Sequence, residues 1–256
     1  MRKPTVSANW KMFKTPHESI DFVDKLKKKP LDREIVNLIL FAPYTSLFEM
    51  GNSINSDFQI YLGAQNLYWE SEGAFTGEIS VNMLQDCNVK WVIVGHSERR
   101  TLFNETDEIV CRKALFALKN GMSITFCVGE SLNERESNET ESVLRRQLGS
   151  LLSRIDLNQL NRIIVAYEPI WAIGTGLTAN VEQISQAHGI LRDQVRESFG
   201  EVADKLTIQY GGSVNENNCE QLSEISEVDG FLIGGASLDV DQFSNISETI
   251  AKVKKI

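Results

Sequence analysis

The chain has 256 residues, 42% hydrophobic and 24% charged, an ordinary globular composition with ample material for a core, and this excludes an intrinsically disordered chain. Its formal net charge of −9 argues against nucleic acid or an anionic membrane as the main partner, so any anion site must be local. The four cysteines, Cys87, Cys111, Cys127 and Cys219, show no C-x-x-C spacing; they point to buried free thiols rather than to a metal site or a disulfide framework. The start of the chain leads straight into a strand pattern without a signal peptide, and no apolar run approaches membrane-spanning length, so a cytoplasmic location is expected.

Strand-like and helix-like segments alternate along the whole chain. Residues 5–9 read as a strand followed by a helix over 17–28, and residues 35–42 as a second strand followed by a helix over 45–55. The third strand, 60–64, leads into an unusually long connection, 65–77, carrying Tyr68, Trp69 and Phe75 before a short helix over 78–85. A long structured loop of this kind is functional or meets a partner. The fourth strand, 89–94, runs through Gly95-His96-Ser97-Glu98-Arg99-Arg100 to a helix over 107–119. The fifth, 123–128, is followed by Gly129-Glu130-Ser131 and a charged helix over 140–154.

The sixth strand, 162–167, ends in Glu168-Pro169, where the proline holds the preceding residue extended and leaves the carboxylate at the strand mouth. An apolar, glycine-containing segment from Ile170 to Gly176 has the composition of a lid. The next helix shows Val181, Ile184, Ala187, Leu191, Val195 and Phe199 as one apolar stripe, with His188 expected at the helix surface or the stripe edge. The seventh and eighth strands, 206–210 and 228–233, end in Gly211-Gly212-Ser213 and Gly234-Gly235-Ala236-Ser237, each expected to enter a helix. Charge-dense stretches at 25–29 and 134–141 read as solvated surface.

Eight such repeats without a Pro/Gly/Ser-rich linker favour an α/β fold: one (β/α)8 TIM barrel, with eight parallel strands and surrounding helices, spanning 1–256 as one domain. A dinucleotide-like match, Gly174-Thr175-Gly176-Leu177-Thr178-Ala179 with Asp193 downstream, fails on context. Glu168 to Ile173 separate it from the strand, and Asp193 falls inside a helical pattern rather than ending a second strand.

In a parallel barrel all strand C-termini share one face, which gathers Asn9, Lys11, His96, Glu168 and the glycine turns after strands seven and eight. Those turns suit one phosphate, with Ser213 adding a hydroxyl. Glu168 has no metal-ligand companions at suitable spacing and fits a general base; His96, beside Ser97 and Glu98, fits a hydrogen-bonding electrophile; Lys11 brings local positive charge. Together they suit proton abstraction next to the carbonyl of a small phosphorylated sugar.

These residues also carry a resemblance. Ala8-Asn9-Trp10-Lys11-Met12, Gly63-Ala64-Gln65-Asn66, Gly73-Ala74-Phe75-Thr76-Gly77-Glu78, Val94-Gly95-His96-Ser97-Glu98-Arg99-Arg100, the run from Tyr167 to Thr178 and both glycine turns resemble the triosephosphate isomerase family over essentially the whole chain. The resemblance implies interconversion of dihydroxyacetone phosphate and glyceraldehyde 3-phosphate through a cis-enediolate, in glycolysis and gluconeogenesis, without metal or organic cofactor. It implies Glu168 as the base, His96 as a neutral electrophile, and Asn9 and Lys11 as the polar substrate-binding pair. Gly174, Ser213, Gly234 and Gly235 then resemble the phosphate ligands; Glu98 belongs to a polar network with Lys11, and Cys127 is a nearby buried thiol. With the long third loop, it implies a homodimer in which Thr76 reaches towards the partner's site near Lys11. Phe13 and Lys14 depart from the common Asn-Gly, and Leu177-Thr178-Ala179 from the common Lys-Thr-Ala of the lid hinge. The rival readings are a Schiff-base aldolase using Lys11, and a non-enzymatic phosphosugar-binding protein.

Overall fold

In chain order the strands are β1 (Thr5–Asn9), β2 (Asn37–Ala42), β3 (Ile60–Ala64), β4 (Trp91–Val94), β5 (Ser123–Val128), β6 (Ile163–Tyr167), β7 (Thr207–Tyr210) and β8 (Gly230–Ile233). A computed structural model describes residues 2–54, 59–173 and 178–254. Every neighbouring pair is parallel, and β8 returns to β1, so the sheet closes into a barrel. Thr5 is aligned with Asn37 on one side and with Gly230 on the other.

Alternation along each strand then divides the side chains between two cores. Inward positions supply Ile39, Phe41, Ile93, Cys127, Ile164, Ala166 and Leu232, which form one cluster filling the barrel. Outward positions such as Val6, Ala8, Leu38, Leu40, Val92, Ile124 and Val165 join a much larger cluster beneath the helices. Full burial of each large apolar side chain there stabilises the fold by about 1.5–3 kcal/mol.

The helices are α1 (Pro16–Lys27), α2 (Tyr44–Ser53), α3 (Val81–Asp86), α4 (Ser97–Leu102), α5 (Asp107–Lys119), α6 (Leu132–Glu136), α7 (Thr140–Leu152), α8 (Leu157–Leu160), α9 (Val181–Phe199), α10 (Cys219–Glu224) and α11 (Val240–Val253). Their starts follow local chemistry. Thr15, Ser131, Asp156 and Asn180 close capping boxes on α1, α6, α8 and α9. Ser80, Thr106 and Asp239 cap α3, α5 and α11 through their side-chain oxygens.

The structure corrects three expectations. Helix α3 begins at Val81 rather than at 78, because the Ser80 hydroxyl accepts the Met83 N–H and sets the cap there. The glycine pairs do not both lead directly into α-helices: α10 starts only at Cys219, and Gly235–Leu238 forms a 3-10 turn before α11. His188 is wholly buried rather than at the surface or an edge. Its Nδ1 lies 3.0 Å from the Glu227 carbonyl oxygen, and its ring meets Tyr167 edge-on at 5.8 Å between centroids. The cysteines are free as expected, with Cys111, Cys127 and Cys219 buried and Cys87 half-buried. No helix among the described residues is long and apolar enough to cross a membrane.

Candidate active site

The C-terminal ends of the strands surround a cavity of about 410 Å³ lined by Asn9, Lys11, His96, Glu168, Ile173, Gly211, Gly212, Ser213, Gly234 and Gly235, among others. A second cavity, of about 360 Å³, opens among the strand beginnings around Thr5, Asn37, Trp91 and Thr207; Lys90 and Lys205 line it, but no carboxylate or imidazole does. The candidate residues read from the sequence thus come together at the first cavity.

Glu168 follows β6 and is only 2% exposed. One carboxylate oxygen, Oε1, lies 3.0 Å from His96 Nε2, and the other, Oε2, accepts the Ser97 N–H at 2.8 Å. Gly211 leaves room for this: a Cβ there would sit 2.9 Å from Glu168 Cγ. Burial, the largest influence, pushes the carboxyl pKa up; His96, the Ser97 amide and Lys11 pull it down and prevail, so Glu168 titrates below its ordinary value of 4.5.

His96 is held by a helix too short to leave a periodic pattern. It caps α4, its Nδ1 accepting the Glu98 N–H at 3.2 Å. Gly95 before it has a φ of 72°, and a Cβ there would strike Val110 Cγ1 at 2.6 Å, so glycine both makes the bend and admits α5. Burial, the largest influence on the imidazole, lowers its pKa, whereas the Glu168 carboxylate raises it and the net shift is upward. The Glu98 amide acts against that second proton, because an Nδ1–H would face another donor. With Nδ1 taken up by the Glu98 amide, the hydrogen of a neutral ring would sit on Nε2, facing Glu168.

Lys11 adopts a φ of 51°, a left-handed conformation costing roughly 1–2 kcal/mol for a residue with a Cβ. Two contacts hold it. Asn9 Oδ1 accepts the Lys11 N–H at 3.0 Å, and Gln65 Nε2 donates to the Lys11 carbonyl at 2.8 Å. Its ammonium pairs with Glu98 Oε1 at 2.5 Å, which realises the expected polar network. That pairing, and a sixth strand ending in Glu168 rather than lysine, leave the Schiff-base reading without support.

Of the remaining candidates, Ser213 donates its hydroxyl to Ala172 O at 3.1 Å, tying the β7 loop to the start of the lid. Ser97 and Cys127 are buried beneath the pair; burial, then the Glu168 charge, hold the thiol pKa well above its ordinary value. Gly174 and the rest of 174–177 lie outside the described residues. Thr76 is exposed on the 65–77 loop and does not line the cavity.

Sequence reasoning did not single out Glu130. This carboxylate is fully buried and accepts hydrogen bonds from Tyr167 Oη at 3.0 Å, Trp171 Nε1 at 3.1 Å and Arg135 Nη1 at 3.3 Å. Its carbonyl also accepts the Ile170 N–H at 3.1 Å. Glu130 thus fastens the first turn of the lid, the 3-10 segment Ile170–Ala172, to β6 and α6. Its place just after a strand, before a helix cap, was the available signal. Among the described residues, no group of three or more His, Cys, Asp or Glu side chains is placed to hold a metal.

Comparison with known proteins agrees with this geometry. The sequence profile described as Triosephosphate isomerase matches residues 4–250. A protein named triosephosphate isomerase from Endomicrobium trichonymphae is 45% identical, the alignment covering 96% of this chain and 98% of that one. Proteins of the same name from Alkaliphilus oremlandii and Dictyoglomus thermophilum are each 42% identical, covering 96% of this chain and 99% of theirs. With a closed eight-stranded barrel, a carboxylate and an imidazole in contact at its C-terminal mouth, and a family match from end to end, the chain belongs to the triosephosphate isomerase family.

Proposed function

We propose that this protein interconverts dihydroxyacetone phosphate and D-glyceraldehyde 3-phosphate, using 1–256 as one catalytic domain. The observation that carries the reading is the contact between Glu168 Oε1 and His96 Nε2 inside a cavity shared with Lys11 and both glycine turns. Ser213, Gly234 and Gly235, with Gly174 of the lid, hold the phosphate. Glu168, released from Ser97 and His96 when substrate enters, removes a proton from C1 of the ketose. Charge developing on the carbonyl oxygen meets His96 Nε2–H and the Lys11 ammonium, and Asn9 adds a polar contact. His96 gives its Nε2 proton to O2 and takes the proton of the O1 hydroxyl in exchange, which moves the negative charge to O1; the same carboxyl then returns the proton to C2 as the C1–O1 carbonyl forms, giving the aldose. Neither a metal nor an organic cofactor enters this sequence. The reaction belongs to glycolysis and gluconeogenesis and is expected in the cytoplasm.

The protein acts as a homodimer in this reading. A cavity of about 250 Å³ beside the site is lined by Lys11, Met12, Tyr44, Gln65, Glu98 and Phe103. Met12 is 95% and Phe103 62% exposed, an arrangement that suits the 65–77 loop of a second copy with Thr76 near its tip.

A coupled assay on purified protein tests the activity, with each triose phosphate offered in turn; no turnover in either direction rejects it. Glu168→Gln removes the base and keeps the phosphate grip. It should lower kcat by roughly 10²–10⁴-fold with little change in KM. A defect confined to KM would reassign Glu168 to binding.

A further inference from the structure

Lys14 lies three residues beyond Lys11, in the loop between β1 and α1. Its φ of 69° is left-handed, which is unfavourable for a side chain with a Cβ, so something must hold it there. The ammonium donates to Leu238 O at 2.8 Å, 4.8 Å from the centroid of the Phe22 ring and 5.3 Å from that of Trp10. Leu238 is the last residue of the 3-10 turn that opens at Gly235. On the other side of Lys11, Trp10 Nε1 donates to Ser237 O at 3.1 Å. Two donors flanking Lys11 thus take two successive carbonyls of one turn.

The connection continues to the site. Ser237 donates its N–H and its hydroxyl to Gly234 O, at 2.9 and 2.6 Å. Gly234 lies against Lys11, where an added Cβ would be 3.4 Å from Lys11 Cε and 3.8 Å from Nζ. Ahead of Lys14 the loop is held by Gln65 at the Lys11 carbonyl and by the Phe13 N–H to Trp10 O at 3.1 Å, while the Met12 and Phe13 side chains are 95% and 57% exposed and pack little. Burial lowers the Lys14 pKa, and the carboxylates of Glu18, Asp21 and Asp239 act in the opposite sense.

We propose that Lys14 is a positioning residue that fastens the β1 loop carrying Lys11 to the β8 turn carrying Gly234 and Gly235, keeping the ammonium and the phosphate grip at one spacing. This rests on the reading of those glycines as phosphate ligands. Trp10 fixes the loop ahead of Lys11, and Lys14 fixes it behind.

The test compares Lys14→Met, which keeps an apolar side chain of similar length but loses donor and charge, with Lys14→Arg, which can still donate to Leu238 O. Binding of inorganic phosphate by calorimetry reads the grip without turnover, alongside kcat, KM and thermal unfolding. In Lys14→Met the phosphate Kd and the KM should both rise about three- to tenfold, kcat should fall less, and Lys14→Arg should return close to wild type. Lys14→Gln, too short to reach Leu238, serves the same comparison should the methionine variant not fold. An unchanged phosphate Kd and KM in a folded variant, even with lower thermal stability, would reduce Lys14 to a stability contact and overturn the proposal. Wild-type protein that isomerises triose phosphates but does not bind phosphate would defeat the glycine-turn reading and this proposal with it. Phosphate binding that is present in wild type and indifferent to Lys14 would defeat only the latter.

Discussion

Glu168 rests with both oxygens occupied, one by an imidazole and one by an amide, at a position almost closed to solvent. Left alone, burial would have made it a weak, partly protonated carboxyl; its neighbours make it an ionised base well below neutral pH. Its titration in the free protein, followed by NMR of 13C-labelled glutamate, should therefore have a midpoint below 4.5, and a midpoint above that value would show that burial dominates. Much of this was legible from sequence. Glu168 and His96 end strands on a shared face, and their roles need only that placement. The contact at His96 Nδ1 was not, since it depends on a six-residue helix, α4, whose Glu98 amide reaches back to that nitrogen. Glu130 escaped notice for a related reason: its partners Tyr167 and Trp171 belong to a different strand and to the lid.

At the scale of elements, periodicity located every strand and the long helices up to α9 but gave no bounds for α11, with several strand starts drifting by one to two residues into preceding turns. Its one sharp failure, His188, lies on α9 among Ile184, Ala187 and Leu191, where a titratable ring reads as an interruption of the stripe. Burial is satisfied instead by the Glu227 carbonyl, a partner that only the tertiary fold supplies. Arg192, one turn on, is 2% exposed and reaches Asp229 Oδ2 at 2.7 Å and the carbonyls of Ala203 and Leu206. Burial, the largest influence, lowers the His188 pKa from 6.5 to about 4. The unfolded chain thus binds a proton that the folded one refuses between those values. The contribution of His188 to stability is complete above pH 6.5 and is lost progressively as pH falls to about 4, by roughly 3 kcal/mol at 1.36 kcal/mol per pKa unit. Urea unfolding of wild type and His188→Gln at pH 4.5 and 7.5 checks this. The variant should show the smaller loss on acidification, and equal losses in both would mean that His188 does not titrate on unfolding.

For the whole molecule, the dimer proposed above would bring the exposed apolar crest around Met12 and Phe103 against the 65–77 loop of a second copy, a loop in which Tyr68 stacks on Trp69 at 4.2 Å and Arg112 lies over Trp69 at 4.7 Å. Thr76→Arg places a long cation at the tip of that loop. Analytical ultracentrifugation should then find a monomer of reduced activity, whereas a fully active dimer would move the interface elsewhere on the surface. The closure of the sheet has a further consequence for how the chain is made. Among the eight barrel strands β1 is the first to leave the ribosome, yet one of its two neighbours, β8, is the last. At synthesis rates of about 5–20 residues per second, β1 waits on the order of ten seconds or more for that partner. Throughout that interval the nascent sheet has an open edge at β1, with backbone donors and acceptors available to any other extended strand. The finished barrel hides a seam that its own biosynthesis leaves unsewn until the end, and the cell must keep neighbouring nascent chains away from it for that long.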